Sequence, residues 1–269
     1  MLKEVEVAAK ESTKSKIVDN PVFIEFDKWL TDRIGKDAYH LSISNSNNLV
    51  YLQRQLTPYA EKESFFQIRI SPDFQNIVAT LNALKFKQME KLVTFVGDKI
   101  PFSDTRHEGV RWVTNSDRRQ VLDIARSAFT HSRFHRDKEI SHATANRIKV
   151  EWVDEYFKGT RDARLAVVEE NGKIFGFTLI AKDKGDLVVE LIAVSKDKRG
   201  KGLGRSMIHF IRQNYNGAFR IRAGTQEHNE AAMNLYQSLG FRIVREELTF
   251  HRHGSKVIYK SDKDRPIMI

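Results

Sequence analysis

The feature that most limits what this chain can fold into is the run VSKDKRGKGLGRS, from Val194 to Ser206. An apolar stretch, Leu187 to Val194, reads as a strand and leads into it. An amphipathic segment with apolar Leu203, Met207, Ile208, Phe210 and Ile211 leads out, and that spacing is helical. A strand that turns through basic glycines into a helix aims several backbone N–H groups, and the positive end of the helix dipole, at one point. Glycine allows an anion to approach the backbone where a Cβ would collide with it. Five cations and a single Asp fall between Ser195 and Arg205. The run lacks the Gly-Lys-Ser/Thr ending of a Walker loop, and Gly200, Gly202 and Gly204 are too evenly spaced for the dinucleotide fingerprint.

Around this loop the pattern alternates. Strands are expected at Phe65 to Ile70, Glu90 to Val96, Val110 to Val113, Arg164 to Glu169, Lys173 to Ala181, Ala218 to Ala223, Phe241 to Phe250 and Lys256 to Lys260. Helices are expected from about Phe74 to Leu84, Asp117 to Phe129, Leu203 to Tyr215 and Asn229 to Leu239, with Asp154 to Lys158 on another. Mixed elements of this spacing give an α/β or α+β sheet domain with a mixed central sheet flanked by helices. The polar SISNSNN from Ser42 to Asn48 reads as a loop, the first 16 residues as a frayed leader, and Gly97 to Gly109 as a linker. An internal repeat is visible: FQIR from Phe66 resembles FRIR from Phe219, and LKFK from Leu84 resembles LGFR from Leu239. The expected division is therefore residues 1–108 and 109–269.

Charge separates these two parts. Residues 1–108 hold 15 basic and 15 acidic groups, so the formal charge of +10 falls wholly on residues 109–269. A basic half calls for an anionic partner, and the count alone leaves nucleic acid, a membrane surface and a phosphate-bearing small molecule open. The absence of Cys excludes disulfides, thiolate metal sites and a cysteine acyl-enzyme. His131, His135 and His142 lack a metal-ligand spacing, so no metal is expected. No apolar core of a signal peptide opens the chain and no apolar run reaches the length of a membrane span, which gives the expectation of a cytoplasmic protein without a membrane partner.

Downstream of the glycine loop, Asn229, Ala232 and Tyr236 fall at i, i+3 and i+7, on one helical face, ahead of Gly240 and Phe241. Together with Arg199-x-x-Gly202-x-Gly204 this resembles the GNAT superfamily of acyl-CoA-dependent N-acyltransferases, over about Val110 to Lys260. The resemblance implies a GNAT fold in residues 109–269 and, given the repeat, a degenerate GNAT-like N-terminal half. It implies that Arg199, Gly200, Lys201, Gly202, Leu203, Gly204 and Arg205 hold the pyrophosphate of an acyl-CoA, that Ile192 and Val194 pair with its pantetheine arm, that Asn229 belongs to the same site, and that Tyr236 protonates the leaving thiolate. Subtracting the repeat offset from Asn229, Ala232 and Tyr236 gives Phe74, Ile77 and Leu81, so the N-terminal half has neither phosphate loop nor acid and one cofactor site per chain follows. Acyl transfer to an amine also needs a base. Glu190 shares a strand face with Val188, Ile192 and Val194 and is the candidate, directly or through water.

The segment from Phe129 to Asp137, with Ser132, Arg133 and Phe134, and the later Trp152 and Tyr156, resembles the branch of the superfamily that acylates dTDP-linked amino-dideoxy sugars. That implies an acceptor site with Arg133 on a diphosphate, Phe134 or Tyr156 against a base or sugar face, and His135 beside them. The donated group, acetyl or longer such as 3-hydroxybutanoyl, and the 3- or 4-amino position stay open, and a homodimer is the family-level expectation. Two other readings stay open: a GNAT enzyme acting on a protein N-terminus, a lysine or an antibiotic, and a nucleic-acid-binding module without catalysis. The position of the densest cations, in a glycine turn at a helix start, favours a small anion over nucleic acid. His251-Arg-His253 reads as a surface turn at a strand end.

Overall fold

A computed structural model describes residues 22–43, 49–59, 62–98, 109–215 and 220–254. The expected leader, most of the Ser42 to Asn48 loop, the bulk of the Gly97 to Gly109 linker, the start of the Ala218 strand and the Lys256 to Lys260 strand lie outside the described residues. The rest groups into two compact units, residues 89–248, and residues 22–88 with 249–254.

The smaller unit contains strands β1 (Val22–Phe26), β2 (Asp37–Ile43) and β3 (Ser64–Ile70) and helices α1 (Lys28–Ile34), α2 (Leu49–Leu56) and α3 (Gln75–Ala83). β1 pairs antiparallel with β2, and β2 runs parallel to β3. Asp27 caps α1 by accepting from the Leu30 N–H at 2.8 Å, and Gly35, at φ +78°, ends it.

The larger unit begins with β4 (Lys87–Gly97), which belongs by sequence to the N-terminal half. It continues through β5 (Val110–Trp112), α4 (Arg118–Ala128), the short α5 (Arg133–Arg136), α6 (His142–Phe157), β6 (Ala163–Glu170), β7 (Lys173–Asp183) and β8 (Asp186–Val194). α7 (Leu203–Asn214), β9 (Ile221–Gln226), α8 (Glu230–Ser238) and β10 (Arg242–Gly254) complete it. Its strand order is β10-β4-β9-β8-β7-β6-β5. All these pairings are antiparallel where their registers are given, except the parallel β8 and β9. This mixed sheet with helices on it is the architecture expected from the alternating pattern.

Each face of the sheet has its own core. On one side Val93, Phe95, Val189 and Ala223 pack with Ile208 and Ile211 of α7 and with Tyr236 and Phe241. On the other, Leu165, Phe177, Leu179 and Leu191 pack with Val121, Ile124 and Ala125 of α4 and Val153 of α6. The apolar periodicity of α7 is therefore satisfied by burial, with Leu203 and Met207 turned to a third cluster around Val168 and Phe175.

The two repeated segments are both strand-helix-strand units, β3-α3-β4 and β9-α8-β10. Their second strands are exchanged: β4 pairs with β9, and the end of β10 groups with the unit that contains β3 and lies next to it in strand order. β10 is longer than expected and absorbs His251-Arg-His253, which corrects the reading of that segment as a surface turn. His251 is buried, and its ring meets the Phe65 ring edge-on at 4.7 Å.

Two outcomes test this packing. Phe95→Ala removes a fully buried ring contributed by the N-terminal half to the core around Tyr236. It should cost about 3–5 kcal/mol in denaturant unfolding. The Arg111 guanidinium forks onto Asp117 at 2.7 and 2.9 Å and holds that carboxyl down at about 2. A depressed carboxyl stabilises the fold above its unfolded value, so this contribution should disappear as pH falls from about 4 to about 2. Asp117→Asn should flatten that part of the pH-stability profile.

Candidate acyl-CoA and acceptor site

The site begins where two parallel strands part. β8 pairs with β9 only at Leu187, Val188 and Val189, opposite Ile221, Arg222 and Ala223. β9 then continues to Gln226 along β4, while β8 continues to Val194 along β7. From Glu190 onward the β9 side of β8 has no strand beside it. An open strand edge inside a sheet presents peptide groups that need partners, and an extended chain carrying amides fits such an edge. At the parting point the β7 ladder slips: Leu179 faces Leu191 and Ile180 faces Val189, so Glu190 is the extra residue of a bulge. A bulge alters the alternation assumed for Glu190 with Val188 and Ile192 along a regular strand.

Glu190 is largely buried, with its side chain 12% exposed. Its two oxygens accept from Arg161 Nε at 2.7 Å and Nη2 at 2.6 Å. Arg161 is equally enclosed, and its guanidinium lies over the Trp152 ring at 4.9 Å. Lys149 Nζ lies 5.1 Å from the same ring and 5.6 Å from that of Phe129.

At the far end of β8 the glycine loop opens α7 as expected. Gly202 caps the helix at φ +78°, Gly200 stands at φ +76°, and a Cβ at either would meet nothing within 4 Å. The glycines are required here by backbone conformation, and the space beside them is open. Gly204 serves differently: a Cβ there would come 3.1 Å from Leu235 Cδ2, so this glycine lets α7 lie close to α8. Arg199 donates to the Val194 carbonyl at 3.2 Å and the Ala128 carbonyl at 3.5 Å, linking the loop to the end of α4. Lys198 pairs with Glu170, and Arg205 donates to Ser238 Oγ at 2.8 Å. Among the described residues no carboxylate pairs with Lys196, Arg199 or Lys201. Three cations and a helix N-terminus thus face the loop with their charge uncompensated, which fits a pyrophosphate. Leu203 is buried, so its contribution to such a site is limited to its backbone. The side chains of Ile192 and Val194 are partly buried against the cores.

Asn229 caps α8: its Oδ1 accepts from the Ala232 N–H at 3.3 Å and its Nδ2 donates to Thr225 Oγ1 at 3.1 Å. Tyr236, two turns along, is 1% exposed between Phe95 and Phe241, with ring centroids 5.5 and 5.4 Å away. Burial pushes its phenol up, so it remains protonated through neutral pH and can serve only as a donor of that proton.

The expected acceptor residues have diverse surroundings. His135 is tied at both nitrogens, Nδ1 to Ser132 Oγ at 2.7 Å and Nε2 to Asn146 Oδ1 at 2.8 Å, and burial lowers its pKa. Phe134 is completely buried, and the Arg133 guanidinium lies over it at 4.4 Å. Tyr156 packs against the α4 and α6 core with Phe157 and Trp152. No group of metal-ligating side chains occurs among the described residues. No helix is long and apolar enough to cross a membrane. The residue that spacing did not reveal is Arg161. It pairs with the extra residue of the bulge, and an irregularity in a ladder has no periodic signature.

Comparison with known proteins agrees with this geometry. Residues 161–243 match the acetyltransferase (GNAT) domain family. The chain is 30% identical over 137 residues to the spore coat polysaccharide biosynthesis protein SpsD of Bacillus subtilis, covering 50% of this chain and 47% of that protein. It is 32% identical over 89 residues to the peptidyl-lysine N-acetyltransferase YiaC of Escherichia coli, covering 31% of this chain and 57% of that one. The chain thus spans about half the length of these curated relatives. The crystal structure of a GCN5-related N-acetyltransferase from Sphaerobacter thermophilus shares the fold, with a TM-score of 0.59 at 14% identity over 88% of this chain and 78% of that one.

Arg199→Ala and Lys201→Ala should each weaken acetyl-CoA binding about three- to tenfold by calorimetry, with a smaller salt dependence than the unsubstituted protein shows. An unaltered salt dependence in both would place the pyrophosphate elsewhere.

Proposed function

We propose that the chain, whose residues 161–243 match the acetyltransferase (GNAT) domain family, is an acyl-CoA-dependent N-acyltransferase whose acceptor is the amino group of a nucleotide-linked amino-dideoxy sugar. The observation that carries the transferase reading is the parting of β8 from β9 at Glu190, which runs into an uncompensated cationic glycine loop. It provides an edge for an amide-bearing arm and an anion site at its end. The sugar acceptor draws support from the likeness to SpsD, a protein named for spore coat polysaccharide biosynthesis. A protein lysine is the second reading, favoured by the likeness to YiaC.

Acetyl-CoA supplies the acyl group as a thioester. In this reading Arg199, Lys201 and the first N–H groups of α7 hold the pyrophosphate, with Gly200 and Gly202 leaving room, Gly204 letting α7 lie against α8, and Arg205 at the rim. Peptide groups at Ile192 and Val194 orient the pantetheine arm, and Asn229 fixes the start of the helix that carries Tyr236. Attack by the amine needs a lone pair on nitrogen, so a proton leaves it towards Glu190, directly or through water. Tyr236 returns a proton to the departing sulfur, and the phenol is held neutral for that step by burial. Arg133 and Tyr156 remain the candidates for the nucleotide and sugar. Residues 1–108 would act as a degenerate partner half without a cofactor site of its own.

Incubation with acetyl-CoA and a panel of dTDP-amino sugars and lysine peptides, with free thiol followed by colour, should show turnover with a sugar. Turnover with peptides alone would transfer the proposal to the second reading, and no thiol release together with no acetyl-CoA binding would refute both. Tyr236→Phe should lower kcat by about tenfold or more with little change in acetyl-CoA affinity.

A further inference from the structure

We propose that Arg161 is a positioning residue for the acyl transfer, one that fixes the plane of the Glu190 carboxylate at the point where β8 leaves β9. This rests on the transferase reading and adds to it a residue outside both sequence motifs.

A bulge re-aims the side chain of its extra residue, and a partner can hold that side chain in the new direction. For Glu190 that is Arg161. The guanidinium takes one edge of the carboxylate with two N–H donors, at 2.7 and 2.6 Å, and among the described residues no other hydrogen-bond partner reaches either oxygen. A fork on a carboxylate is coplanar and bidentate, which a lysine cannot reproduce. Each carboxylate oxygen has two lone pairs, and the fork uses one on each. The second pair on each oxygen is then fixed in direction and can accept from an ammonium or a water.

Arg161 is in turn fixed. It lies two residues before β6, its side chain is 14% exposed, and its flat face covers the Trp152 indole at 4.9 Å. Trp152 belongs to α6 and packs against the core beneath α4. The order of support runs from the α6 indole to the guanidinium to the carboxylate, and it joins the helix layer to the bulge. Removing Arg161 would leave Glu190 enclosed without a counter-charge and without the fork that orients it.

The proton balance is simple. One N–H bond of the acceptor ammonium breaks, and the proton passes to a Glu190 oxygen or to a water held by it. Arg161 takes no part in the transfer of that proton.

The test uses the full chain with Arg161→Met, Arg161→Lys, Glu190→Gln and the Arg161→Met/Glu190→Gln double variant. Acetyl-CoA and a dTDP-linked 4-amino-4,6-dideoxyhexose serve as probes, with acetyl-CoA affinity measured by calorimetry and Tm by calorimetric scan. Each single variant should lower kcat by about tenfold or more while acetyl-CoA affinity changes less than about twofold. The double variant should be no slower than the slower single one, because both act through one carboxylate. Arg161→Lys should recover Tm but not kcat. Wild-type kcat in Arg161→Met, multiplicative losses in the double variant, or full recovery of kcat in Arg161→Lys would each overturn the proposal. A wild-type protein inactive on this sugar counts against the acceptor reading alone. The fork is then read from the Arg161 Nε–H resonance in 15N-arginine protein. Slow exchange in the wild type that is lost in Glu190→Gln supports it, and a signal absent or unchanged overturns it.

Discussion

The separation of β8 from β9 is the constraint on which the site depends. Two parallel strands joined for three residues and then divergent leave a wedge in the middle of a sheet, where every backbone group would otherwise be paired. The wedge is stable because each strand has its other neighbour to hold it: β7 follows β8 to Val194, and β4 follows β9 to Gln226. With both outer ladders intact, the inner edge can stay open for an extended ligand. The bulge at Glu190 makes the change of direction local, since one extra residue bends β8 while its ladder to β7 continues on either side.

This arrangement gives the N-terminal half of the sequence a part in the larger unit. β4 is the strand that pairs with β9 from Ile221 to Gln226, and its Phe95 is one of the two rings packed on Tyr236. The two strand-helix-strand units, β3-α3-β4 and β9-α8-β10, have second strands of 11 and 13 residues. Two similar strand-helix-strand units offer second strands of similar length and pattern, and the ladder of β9 accepts the one from the other repeat. A cut of the chain at residue 109 would separate β4 from the strand it supports.

Much of the fold was legible because its elements are periodic. The α7 stripe of Leu203, Met207, Ile208 and Ile211, the β6 to β8 runs and the glycine turn with its positive φ at Gly200 and Gly202 all follow from patterns that sequence displays. The smaller unit was less legible, because β1 and β2 alternate imperfectly: Phe23 and Phe26 are exposed, while Ala38 is buried. His251 misled for a physical reason. A His-Arg-His triplet is polar in composition, yet the ring of Phe65 gives His251 an aromatic contact that keeps it inside the sheet. The chemistry divides similarly. Arg199, Gly202, Gly204, Asn229 and Tyr236 carry a motif, whereas the pairing of Glu190 with Arg161 depends on a slipped register, which composition and spacing do not encode.

The same contrast explains why the coenzyme is easier to read from this chain than its acceptor. A pyrophosphate is recognised by backbone N–H groups, glycines and a few unpaired cations, and these leave a short linear signature. An amine-bearing acceptor is recognised by side chains from separate elements that meet only after folding. In the proposed site Trp152 comes from α6, Arg161 from the turn before β6, and Glu190 from β8. His135 and Phe134 illustrate the converse: their residue types suggest a ligand, but His135 uses one ring nitrogen on Ser132 and the other on Asn146 of α6, and Phe134 is enclosed. Residue type therefore identifies the groups able to do the chemistry, and it is the partners already taken that decide which of them face a substrate.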